Sequence, residues 1–82
     1  MIVLIAERIK QIEHPTGTFF VPRLEVMNAN KVHLAVHEYP DGFNSVTGAI
    51  IWLDNLKRKV HEKYSEACEF YVLTPMDIKK LS

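Results

Sequence analysis

NSVTGAIIWLDNLKRKVHEKYSEA, residues 44–67, is the one stretch of the chain with a sustained helical period. Val46, Ala49, Ile50, Leu53, Leu56, Val60, Tyr64 and Ala67 recur at spacings of three and four, which sets them along one stripe of a helix. Such a stripe needs an apolar surface to lie on. The flanking segments read as strands, so that surface is expected to be a β-sheet. The helix begins between Asn44 and Thr47, since Asn44, Ser45 and Thr47 are all competent caps. With Thr47 as the cap, Val46 and Ile51 occupy the staple positions around the first turn.

Working outward, Lys31 to Tyr39 alternates most clearly, with Val32, Leu34 and Val36 one way and His33, Ala35, His37 and Tyr39 the other. Pro40-Asp41-Gly42 ends it as a turn. Thr18 to Asn28 places Phe20, Leu24 and Val26 opposite Phe19, Val21, Arg23 and Met27; Pro22 calls for a bulge or an edge position, because proline cannot donate to a ladder. Asn28-Ala29-Asn30 reads as a tight connection in which asparagine takes the left-handed backbone.

Ile2 to about Glu13 suits a long strand, with a short helix over Ile5–Ile12 as the competing reading. His14-Pro15-Thr16-Gly17 favours the strand, since it supplies a hairpin turn with Gly where positive φ is wanted. After the helix, Glu69 to Leu73 is β-rich, and Thr74-Pro75-Met76-Asp77 carries the signals that open a short helix through about Leu81.

The expected fold is a single α+β domain over residues 1–82. Its order is β-β-β-α-β: a mainly antiparallel four-stranded sheet, one long helix on one face and a short C-terminal helical turn. The fourth strand is placed beside the first or the third.

At 82 residues, 48% hydrophobic and 24% charged, the chain has the composition of a folded domain. Ten Lys plus Arg balance ten Asp plus Glu, so no global charge draws it to nucleic acid or anionic membranes. The apolar opening stops at Glu7-Arg8, too soon to span a bilayer. A single cysteine, Cys68, excludes an internal disulfide and favours a reducing, cytoplasmic setting, with Cys68 itself a small buried residue.

The strand pattern contains an imbalance. Setting Ile2, Leu4, Phe20, Leu24, Val26, Val32, Leu34, Val36, Phe70 and Val72 under the helix leaves Val3, Ile5, Ile9, Phe19, Val21, Met27, Ala35, Tyr39, Tyr71 and Leu73 on the other face, among Glu7, Arg23, His33 and His37. One helix cannot cover both. An exposed apolar face of that kind marks an interface, unless the short C-terminal helix covers it, or a register shift or the bulge at Pro22 reassigns some of these residues. The expected interface comprises Phe19, Val21, Arg23, His33, His37, Tyr39 and Tyr71, with Ile51 and Trp52 from the helix.

Other chemistry is less supported. His33 and His37 lie roughly 13 Å apart along a strand and cannot share one metal ion. No catalytic residues and no cofactor are expected. Ser45, Thr47 and Gly48 at the helix N-terminus form a weak anion site, for which capping is the simpler explanation. Lys57, Arg58, Lys59 and Lys63 form a weak nucleic-acid candidate, but they scatter around the helix and Glu62 follows Arg58 by four residues. The sequence therefore points to a small non-catalytic protein-interaction module, an adaptor, regulator or inhibitor. Its expected partners are a second copy of itself, as a homodimer, and an unidentified protein. A nucleic-acid-binding module and a binder of a small anionic ligand or nucleotide are the alternatives.

Overall fold

The computed structural model describes residues 2–64 and the backbone of 69–73 and 78–81. Six elements follow in order: β1 (Ile2–His14), β2 (Gly17–Asn28), β3 (His33–Glu38), α1 (Val46–Lys63), β4 (Glu69–Leu73) and β5 (Ile78–Leu81). The strands form one sheet in the order β3-β2-β1-β4-β5, antiparallel except for the β1–β4 pair. The chain is thus an α+β domain, with five strands among the described residues where four were expected, and the fourth strand lies beside the first.

The expected C-terminal helical turn is corrected over its described part, where Ile78–Leu81 are the strand β5. A helix this short is a poor nucleus, whereas pairing with the open edge of β4 satisfies backbone groups at once. Its cap region, residues 74–77, lies outside the described residues, as do Ala67 and Cys68.

The β1–β2 hairpin is the long axis of the molecule. Thirteen residues opposite twelve, closed by Pro15-Thr16 with Gly17 at φ +145°, build a ladder that accounts for the 45 Å extent of the domain. His14 pairs with Gly17, so odd residues of β1 oppose even residues of β2: Val3 with Asn28, Ile5 with Val26, Glu7 with Leu24, Ile9 with Pro22. Leu24 and Val26 face the helix, as the alternation suggested. Val3, Ile5 and Ile9 therefore face it too, and Ile2 and Leu4 do not, which corrects the assignment of β1.

β3 is also inverted, for a different reason. Beyond the turn Met27 opposes His33, but Val26 opposes Ala35, so Leu34 is an extra residue in β3. The period of a strand is two, and one inserted residue turns everything beyond it to the other face. Ala35 and His37 now lie on the helix side, opposite Val26 and Leu24, while Val36 and Glu38 lie on the far side, opposite Glu25 and Arg23. The irregularity sits at Leu34 and not at Pro22, which is fully buried in the middle of β2.

Helix α1 lies on β2 and β1. Its cap is Ser45, whose Oγ accepts from the Gly48 N–H at 3.2 Å, so the staple expected around a Thr47 cap is not the one used. Ala49, Leu53 and Val60 are buried, and Trp52, Leu56 and Tyr64 pack against the core of Val3, Ile5, Leu24 and Val26. The stripe is rotated from the expected one, because Val46 and Ile50 are exposed and Trp52 turns inward. Each fully buried aliphatic side chain contributes about 1.5–3 kcal/mol, and the core is one layer deep.

Lys57 extends this layer with charge. Its Nζ lies 3.0 Å from Glu7 Oε2 on β1 and 3.3 Å from Asp54 Oδ1. Burial works against the Lys57 ammonium, but the two carboxylates outweigh it and raise its pKa above the ordinary lysine value.

Candidate interaction surface

The open edge of β3 is built by its bulge. Tyr39 N–H donates to Pro22 O, and from there the antiparallel alternation points the backbone groups of His37 and Ala35 toward β2. The N–H and C=O of Val36 and Glu38 accordingly point away from β2. β3 ends the sheet, so among the described residues no strand receives them. Apolar side chains of this segment stand in solvent: Val32 is 57% exposed, Leu34 41% and Val36 44%. Residues 33–38 contain neither the lysine nor the proline that commonly protects an edge.

Next to this edge the far face of the sheet carries a charged row. Arg23 donates through Nε and Nη2 to Glu25 Oε1 at 3.3 and 3.1 Å, and its Nη1 is 4.0 Å from Glu38 Oε2. His33 Nε2 stands 3.7 Å from the same Glu25 oxygen. The hydrogen bond from Arg23, against the effect of burial and helped by the charges of Arg23 and His33, holds the Glu25 carboxyl below its ordinary pKa. Arg23, Glu25, His33 and Glu38 thus occupy four neighbouring positions across two strands. Leu4 and Met27 border the row on one side, and Val36 lies within it opposite Glu25.

Residues 39–43 close the other end of the edge. Gly42 N–H returns to Tyr39 O, and Phe43 exchanges both backbone bonds with Phe20, so this turn runs on beside β2 after β3 stops. That arrangement suits Pro22: the carbonyl that a donor at position 22 would have met, Tyr39 O, is already taken by Gly42. Gly42 has φ +72°, and a Cβ there would meet Phe19 Cβ, Phe20 O and Val21 Cγ2 at 3.2–3.3 Å. Tyr39 stacks on Phe43, with centroids 4.6 Å apart, and meets Trp52 edge-on at 6.2 Å.

The nine residues expected at an interface are therefore divided. Phe19, Val21, Arg23 and His33 share the far face, but Val21 lies under the Gly42 turn and is 5% exposed. His37 is on the helix side, while Tyr39 and Trp52 are engaged with each other and with Phe43 or the core. Ile51 is 55% exposed, in a helix patch with Val46 and Ile50. Tyr71 falls in β4 opposite Leu4, and its side chain is not described. The alternation of β3 predicts Leu34 and Val36 in the core; the bulge, which no residue pattern marks, brings them to the edge surface.

The weak candidates have local explanations. Ser45 Oγ already occupies the Gly48 N–H, and a Cβ at Gly48 would meet the Phe43 side chain at 3.2–3.3 Å, so the glycine serves close packing. Thr47 is exposed at the first turn. Of the basic residues, Lys57 is drawn beneath the helix by Glu7, Arg58 and Lys59 are exposed, and Lys63 lies 5.6 Å over the Tyr64 ring. No group of three or more potential metal ligands is gathered among the described residues, and no helix there is long and apolar enough to cross a membrane.

No protein-family model matches this chain, and neither a curated protein nor a solved structure matches it.

Proposed function

We propose that this chain is a small non-catalytic protein-interaction module that associates with itself as a homodimer and acts on a larger protein as an adaptor, regulator or inhibitor. The observation that carries the reading is the β3 edge: one inserted residue, Leu34, turns Val36 away from the helix at a strand whose outward backbone groups no other described strand receives. Strand addition at such an edge is a recurrent mode of protein recognition, in which main-chain bonds supply affinity and alternate side chains supply specificity. A cytoplasmic setting goes with this reading, on the strength of the single cysteine. Nucleic-acid binding has less support, because one of its four basic candidates, Lys57, is committed to Glu7 and Asp54.

Light scattering on purified, nucleic-acid-free protein across a wide concentration range tests self-association. A mass of twice the 9.5 kDa chain is expected as concentration rises. A monomer at every concentration sinks the homodimer.

A further inference from the structure

We infer that the occupant of the β3 edge is β3 of a second copy, paired antiparallel across a two-fold axis at Val36, so that the two sheets join into one. This rests on the interaction reading above and names its partner. Because Val36 and Glu38 present their backbone groups outward, a symmetric antiparallel pair can set its axis at Ala35, Val36, His37 or Glu38 within this strand.

Charge separates the four: an axis at Glu38 sets two carboxylates directly opposite each other, a destabilising like pair. An axis at His37 opposes that histidine to its own copy, and an axis at Ala35 opposes His33 to His37; like groups directly across a ladder repel when protonated. The axis at Val36 opposes His37 to Ala35 and Glu38 to Leu34, with no like pair. It also brings Glu38 of each copy toward His33 of the other, so at each end a carboxylate meets an imidazole that can donate to it. Val36 then stacks on its own copy and covers a side chain that is otherwise 44% exposed, while its N–H and C=O exchange two bonds across the axis.

Sedimentation of Val36→Pro tests this directly, because the substitution removes an outward donor and leaves the bonds between β3 and β2 in place. The dimer dissociation constant is expected to rise about tenfold or more, and Val36→Lys, which keeps the donor but charges the axis, is expected to do the same. Should Val36→Pro fail to fold, cross-linking decides: with Cys68→Ser as background, Val36→Cys joined by a short bismaleimide should give a covalent dimer, and Ile51→Cys on the helix should not. If both position-36 variants dimerise like the parent, or if only Ile51→Cys cross-links, the axis is wrong while self-association stands. A parent chain that stays monomeric throughout overturns both.

Discussion

Backbone conformation at single positions sets how the strands are joined. Lys31 has φ +62°, in the four-residue connection between β2 and β3, where Asn28 Oδ1 accepts from the N–H groups of Asn30 and Val32. The sequence suggested an asparagine for the left-handed position; instead Asn28 spends its side chain organising the loop and a lysine takes the strain. A side chain in that region costs on the order of 1 kcal/mol, so Lys31→Gly is expected to raise stability by up to about 1 kcal/mol in urea unfolding, tempered by the freer unfolded chain. Gly42→Ala should act in the opposite direction. It meets the same backbone penalty and also the Phe19, Phe20 and Val21 atoms 3.2–3.3 Å from the new methyl, and a loss of about 1–2 kcal/mol is expected. Equal stability of Gly42→Ala and the parent would mean that the turn relaxes away from β2.

At the scale of elements, what could be read in the sequence was strand and helix identity, and what could not was which face each strand shows. β1 is apolar on both sides for its first five residues, so its alternation alone is ambiguous. The information was nevertheless present in Pro15-Thr16: a two-residue turn pairs odd positions with even ones and puts Val3 and Ile5 beside Val26 and Leu24. For β3 no such signal exists. Val32, Leu34 and Val36 alternate without a break, and the extra residue reconciles two ends that demand different registers, Asn28 bonded to Val32 at one and Pro22 bonded to Tyr39 at the other. The edge surface was illegible for the same reason, since it consists of residues that a regular strand would bury. It follows that deleting Leu34 should be tolerated. Met27 still meets His33 and Val26 still meets Ala35, so the change in unfolding free energy is expected to stay within about 1 kcal/mol. A deletion that unfolds the domain would show that the bulge itself holds β3 in place.

At the scale of the whole molecule, zero formal net charge conceals two local groups of opposite pH sensitivity on opposite faces of the sheet. Glu25, on the far face, has its folded pKa lowered by Arg23. It binds a proton less readily folded than unfolded, so its contribution is present above the ordinary glutamate value of about 4.3 and is lost as pH falls through the lowered folded value. Lys57, on the helix face, has its folded pKa raised by Glu7 and Asp54. Its contribution is present below the ordinary lysine value of about 10.4 and is lost as pH rises through the raised folded value. Stability measured by urea unfolding against pH should therefore show two limbs that separate by mutation. Glu25→Gln should flatten the acid limb and leave the alkaline one, and Lys57→Met, which keeps the packed stem, should flatten the alkaline limb alone. Both groups are partly exposed, so each effect should shrink as salt is raised. If Glu25→Gln also altered the alkaline limb, the two faces would be coupled through the sheet rather than independent, and Glu7, which links β1 to the helix by charge, would be the next position to change.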